Sequence, residues 1–107
     1  MLQISINYNS LKLIEKGNKL YEIRVKRGIF NKISKGDSIK LYNNDKSIIK
    51  NIGLIHEFEN LDELFSNLHY KLCVPKSISI LDAKLHINKF YSNKVISCNK
   101  ILAIKLI

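Results

Sequence analysis

The sequence predicts an α+β fold, a small curved mixed sheet or barrel flanked by short helices, and three observations carry that expectation. Apolar and charged residues alternate from Tyr21 to Lys26 with the two-residue period of a strand. Two later stretches, Leu61 to Leu68 and Ser79 to Tyr91, place apolar residues at helical spacing. The chain closes on Ile101-Leu102-Ala103-Ile104-Lys105-Leu106-Ile107, a nearly continuous apolar run of the kind buried on both faces of a sheet. The order strand, helix, several strands, two helices, strand fits a small sheet packed against helices.

Each element has its own local reason. Met1-Leu2-Gln3-Ile4-Ser5-Ile6 alternates like a strand and lacks the basic start, long apolar run and cleavage site of a signal peptide, so a cytoplasmic location is expected. Ser10 is placed to cap a short helix, Leu11 to Lys16, which Gly17 ends in the left-handed conformation. In the charged strand, Tyr21, Ile23 and Val25 share one face while Glu22, Arg24 and Lys26 share the other. One face is expected to pack and the other to carry charge.

Gly28 to Ser34 is mixed in character. Lys35-Gly36-Asp37 reads as a turn before a strand from Ser38 to Tyr42, and Asn43-Asn44-Asp45 as the tip of a hairpin whose return strand is Ser47 to Ile55. Asn60 with Glu63 forms a capping box for a helix that carries Leu61, Leu64, Phe65 and Leu68 inward and runs to about Tyr70. Lys71 to Ile78 holds the only proline, Pro75, and reads as a loop. Ser79, with Asp82 three residues on, starts a last helix through Tyr91 that turns Ile80, Ala83, Ile87 and Phe90 inward.

A length of 107 residues matches one domain, residues 1–107, with enough apolar surface to fold without a metal or disulfide scaffold. No run approaches the roughly 18 to 20 apolar residues of a membrane span, and no membrane association is expected. Cys73 and Cys98 are too few for a disulfide framework and form no Cys-x-x-Cys pair. His56, His69 and His86 lack ligand spacing. Neither a metal nor any other cofactor is expected.

The net charge is +9, and it is unevenly spread. Residues 1–54 hold 11 Lys/Arg against 4 Asp/Glu, a net of +7, whereas residues 55–107 hold 7 against 5, a net of +2. Arg24, Lys26, Arg27, Lys32 and Lys35 follow one another with no acidic residue between Glu22 and Asp37, a pattern that attracts a polyanion such as RNA. The competing explanation is compositional: a chain rich in Lys, Asn and Ile has a high isoelectric point whether or not it binds nucleic acid.

Gly17-Asn18-Lys19-Leu20-Tyr21-Glu22-Ile23-Arg24 after a short helix, then Lys35-Gly36-Asp37 opening a strand, resembles the ASCH domain. The resemblance continues through the Glu57 to Phe65 helix segment, the Ile80 to Ser92 segment with Tyr91, and the closing strand. It implies a PUA-like β-barrel, with a cleft between barrel and helices lined by Lys19, Glu22 and Arg24, and recognition of RNA or a modified nucleoside. A branch of that family resembles amidohydrolases of 4-acetylcytidine, with a lysine at the position of Lys19, a threonine nucleophile at that of Glu22 and a later glutamate. This chain keeps the lysine but has Glu22 for the hydroxyl and no glutamate in Cys73-Val74-Pro75-Lys76-Ser77. Deacylation through a carboxylate nucleophile would require an anhydride intermediate.

The expected function is an RNA-binding or nucleotide-recognition module in which Lys19, Glu22 and Arg24 line the pocket. Lys26, Arg27, Lys32 and Lys35 are expected to guide the backbone, with Tyr91 as a stacking wall. The alternative is a small hydrolase acting on a 4-acetylcytidine-like amide or on RNA, using Lys19 and Glu22 as acid and base. A protein-interaction module, touching its partner through Tyr8, Phe30, Tyr42, Phe58 or Tyr91, is a third reading. A purely structural ion pair between Glu22 and Arg24 is the bland one.

Overall fold

The computed structural model describes residues 1–107. Five strands, β1 (Leu2–Ser5), β2 (Tyr21–Val25), β3 (Ser38–Asn43), β4 (Lys46–Phe58) and β5 (Ile101–Leu106), form one sheet in the order β1-β3-β4-β5-β2. β1 runs parallel to β3 and every other pairing is antiparallel. The helices are α1 (Tyr8–Glu15), α2 (Leu61–Asn67), α3 (Tyr70–Cys73), α4 (Ile80–Asn88) and α5 (Asn93–Asn99), with a 3₁₀ turn at Gly28–Asn31.

The shape follows from β4. Its 13 residues are shared between two neighbours: Lys46 to Asn51 pair with β3, and Ile52 to Phe58 with β5. The register slips between Ile52 and Leu54, so a bulge at Gly53 bends the strand where it changes partner. Gly53 also lies under Ile107, whose Cγ2 would be 3.0 Å from any added Cβ. The sheet therefore curls into a half-barrel, and its two edge strands, β1 and β2, approach each other. Arg24 Nη2 spans that seam, donating to the Ser5 carbonyl oxygen at 3.2 Å.

Two apolar clusters lie on the two faces of the sheet. Ile39, Leu41, Ile52, Leu102, Ile104 and Leu106 fill the concave face, closed at one end by Leu11 and Ile14 of α1. Tyr21, Val25, Ile101 and Ala103 pack on the other face against Leu64, Phe65, Ala83, Ile87 and Ile96 of the helices. β5 alternates between the two clusters, which is why its sequence is apolar almost throughout.

Several expected boundaries move. Asn7, not Ser10, caps α1: its Oδ1 accepts the Ser10 N–H at 2.8 Å, which places Ser10 inside the first turn. β4 runs three residues beyond Ile55, because β5 offers it a partner as far as Phe58. A short helix, α3, occupies part of the expected loop, with the His69 ring accepting the Lys71 N–H. The helix expected through Tyr91 stops short, and a further helix, α5, follows where none was expected. α4 ends at Asn88, whose Nδ2 donates to the Tyr91 carbonyl at 2.9 Å and to Asn93 Oδ1 at 3.0 Å, and Ser92 then caps α5. Ala83 and Ile87 face inward as expected, but Ile80 is exposed because α4 packs by a narrow stripe, and Phe90 is exposed because it lies beyond the end of the helix. Phe58 is buried in the outer cluster and offers no contact surface to a partner.

The junction of α5 and β5 is strained. Lys100 has φ 74° and ψ 164°, a region essentially reserved for glycine, where a side chain costs about 1–3 kcal/mol. It is held there because its N–H donates to the Ile96 carbonyl at 2.7 Å while its carbonyl accepts the Lys26 N–H at 3.0 Å. Its ammonium meets Glu57 and Glu59 at 3.4 and 3.3 Å on the surface, where such pairs contribute little. Lys100→Gly is therefore expected to raise stability by about 1 kcal/mol in urea unfolding; a loss would show that the surface pairs outweigh the strain.

Candidate functional site

The seam between β1 and β2 is where the sheet fails to close, and a cleft of about 380 Å³ opens there. Ser5 and Ile6 line one side, Glu22, Ile23 and Arg24 the floor, and Cys73, Val74, His86, Ile87, Phe90 and Tyr91 the helical side. The volume falls within the ~300–1,000 Å³ typical of small-molecule sites.

The β2–β5 register decides which residues reach the floor. Glu22 pairs with Ile104 and Arg24 with Leu102, so both side chains share the concave face with those core residues. The charged face of β2 is thus the interior face at the seam, and Glu22 is only 5% exposed. Its Oε1 lies 3.2 Å from Lys19 Nζ, and its Oε2 accepts Arg24 Nε at 3.1 Å and Nη2 at 2.8 Å. Lys19 arrives from the turn after α1, which Gly17 makes possible at φ 81°. Its side chain is 11% exposed, so it lies well inside the cleft and not at the entrance.

Burial works against ionisation of Glu22. The charges of Lys19 and Arg24, helped by their hydrogen bonds, nevertheless hold its carboxyl below the ordinary value of 4.5. One carboxylate faces two cations, so the buried cluster carries a net charge of +1. The Arg24 guanidinium also lies over the Phe30 ring, 5.5 Å from its centroid. With Nε and Nη2 committed within the protein, Arg24 has the N–H groups of Nη1 left for other partners.

Backbone groups add to the floor. The Leu106 N–H donates to the Leu20 carbonyl, and the Lys26 N–H to the Lys100 carbonyl, both at 3.0 Å. In an antiparallel ladder this alternation sends the even-numbered residues of β2 towards β5 and turns the N–H and C=O of Ile23 to the open edge. Ile23 therefore presents an adjacent donor and acceptor at the cleft.

The remaining titratable groups narrow the chemistry. Burial pushes the Cys73 thiol up to about 12, against the pull of Lys19, so it is no thiolate nucleophile at neutral pH. Partial desolvation and then the Lys19 and Lys89 charges hold the His86 imidazole below its ordinary value, with Asp82 opposing. No group of three His, Cys, Asp or Glu side chains is placed to hold a metal ion, and no helix is long and apolar enough to cross a membrane.

Of the residues singled out from sequence, Lys19, Glu22, Arg24 and Tyr91 meet in the cleft. Arg27 does not line the cleft but is exposed outside it, its guanidinium 5.7 Å from the centre of the Tyr91 ring. Lys26 instead pairs with Glu57, and Lys32 and Lys35 are exposed outside the cleft. His86, Phe90 and Asn43 belong to the cleft without having been anticipated. No spacing marks them, since each reaches the seam only through the packing of its element.

This architecture has counterparts among solved structures. The crystal structure of the hypothetical protein PH0355 superposes with a TM-score of 0.90 at 18% identity, covering 98% of this chain and 95% of that one. Protein PF0455 from Pyrococcus furiosus, solved by NMR, gives 0.82 at 18% identity over 98% and 94% of the two chains. The crystal structure of ASCH from Zymomonas mobilis gives 0.68 at 18% identity, over 98% of this chain and 65% of that one. The fold is that of an ASCH domain. Where the resemblance implied a PUA-like barrel, the sheet is a half-barrel that stays open at the β1–β2 seam. No protein-family model matches the chain, and no curated protein does.

The Glu22 cluster has a measurable signature. Because the folded-state value of Glu22 is depressed, its stabilising contribution is complete above about pH 4.5 and is lost as pH falls through the lower folded value. Glu22→Gln is expected to cost about 3 kcal/mol near neutral pH, since it leaves two cations facing each other without a carboxylate. Urea unfolding of both proteins from neutral to acid pH should show that difference shrinking below pH 4.5. A difference independent of pH would mean that Glu22 acts through packing alone.

Proposed function

We propose that the chain is an RNA-binding module of PUA-like fold that takes one unstacked base into the seam cleft. The observation that carries this reading is the net positive charge of the Lys19–Glu22–Arg24 cluster at the floor of a partly apolar hollow. A structural ion pair needs one cation per carboxylate; a second, half-buried cation is better satisfied by an acceptor-rich or anionic ligand.

The surrounding groups fit a base. Tyr91, braced on the Arg27 side, and Phe90 supply flat apolar walls. The open N–H and C=O of Ile23 match the donor and acceptor groups on a base edge, and the Nη1 amino group of Arg24 adds a further donor. The exposed cations, Arg27 beside Tyr91 and Lys32 and Lys35 farther out, contribute a field that draws in the backbone. Lys26 contributes less, because Glu57 already matches it.

The hydrolytic alternative, on a 4-acetylcytidine-like amide or on RNA, has weaker support. Glu22 has both oxygens engaged by cations and a lowered proton affinity, which makes it a poor general base. Cys73 stays protonated.

Binding of the intact protein to pools of single-stranded and structured RNA, followed by fluorescence anisotropy, tests the proposal. Affinity is expected to fall steeply between low and moderate salt. Arg24→Ala is expected to weaken it by about 10- to 100-fold, the equivalent of about 1–3 kcal/mol, because it removes both the Nη1 donor and a cation of the floor. Binding that ignores both changes would overturn the proposal.

A further inference from the structure

A second hollow, of about 520 Å³, adjoins the first and shares with it Asn7, Ser10, Lys19, Cys73, Val74 and His86. Its own lining differs in character. Lys76 and Lys89 enter it from the segment after α3 and from the end of α4, and Lys19 reaches its boundary from the turn after α1. Three lysines from three parts of the fold thus line one space, Lys19 with its ammonium on Glu22 at the boundary with the first hollow.

Five of the sixteen lysines, Lys19 among them, have a carboxylate partner, so what sets Lys76 and Lys89 apart is their convergence with Lys19 on one hollow and not the lack of a partner. Lys26 pairs with Glu57, Lys46 with Glu15, Lys84 with Asp62, and Lys100 with Glu57 and Glu59. Neither Lys76 nor Lys89 has a carboxylate within 4.0 Å. Asp82 also lines this hollow, its Oδ2 accepting the Ile78 N–H at 3.0 Å, and its charge offsets one of the three lysines and leaves an excess of positive charge. Desolvation chiefly lowers the proton affinity of His86, and the charges of Lys19 and Lys89 lower it further against the pull of Asp82.

We infer that the cleft is bipartite and that its ligand is a phosphorylated nucleotide unit, with the base in the seam hollow and the phosphate in the hollow bordered by Lys19, Lys76 and Lys89. This rests on the RNA-binding reading above and adds to it. A free nucleoside would occupy the first hollow and leave Lys76 and Lys89 unmatched. Phosphate supplies the acceptor oxygens and negative charge that three lysines favour. Lys19, common to both hollows, sits where the sugar joins the two halves of such a ligand.

The test is titration calorimetry of the intact protein with the four common nucleosides, their 5′- and 3′-monophosphates, and dinucleotides, alongside the RNA pool. At least one monophosphate or dinucleotide is expected to bind about tenfold or more tightly than its parent nucleoside. The 5′, 3′ and internal phosphates identify which linkage the second hollow accepts. A Lys76→Ala/Lys89→Ala variant should lose that gain and keep the nucleoside affinity, whereas Lys50→Ala/Lys94→Ala, with the same change in charge, should keep the gain. Equal affinity for nucleosides and phosphorylated forms, with RNA still bound through Arg24, would overturn the bipartite cleft and leave the RNA reading standing. So would a phosphate gain that survives in the Lys76/Lys89 variant. If nucleosides, nucleotides and RNA all fail to bind, both readings fall together.

Discussion

Glu22 is an ionised carboxylate at the edge of an apolar core, and the desolvation of such a group costs several kcal/mol unless opposite charges and hydrogen bonds offset it. The offset comes from close by in the chain. Lys19 lies three residues before it and Arg24 two after, so a turn and a single strand deliver both cations. Arg24 then does more than neutralise. By reaching across to the Ser5 carbonyl it ties the two free edges of the sheet together at the one place where no backbone ladder joins them.

That arrangement exists because the sheet is curved. A flat five-stranded sheet would hold β1 and β2 at opposite margins, three strands apart. The shared β4, bent at Gly53, brings them face to face. The same curvature gives the molecule two cores separated by one sheet, with β5 feeding both. The short helices α3 and α4 then wall the opening and complete a concave site that neither the sheet nor the helices form alone.

Much of this was legible along the chain. The alternation in β2, the apolar run of β5, the capping Asn60 and Ser79, and the turn at Gly17 are local signals, and each corresponds to an observed feature. The errors also have local causes. Asn7 and Ser10 are both good caps three residues apart, and only the hydrogen bond to the Ser10 N–H distinguishes them. The helix expected from Ser79 through Tyr91 stops at Asn88, whose side chain takes the Tyr91 carbonyl, and Ser92 then caps a further helix that was not expected. The pairing of Glu22 with Arg24 could be anticipated from their spacing; its burial could not, because an alternating charged face looks the same whether it meets water or the inside of a barrel.

By itself the sequence determined the element types, the amphipathic faces and the local charge cluster, since those depend on interactions between residues a few positions apart. Tertiary structure alone decided which cations share a space. Lys26, Lys32 and Lys35 follow closely behind Arg24 in the chain but lie away from the cleft, whereas Lys76, His86, Lys89 and Tyr91 come to it from more than fifty residues away. Proximity across such separations is set by the curl of β4 and the packing of α3 and α4 on the sheet, and no periodicity along the chain encodes it.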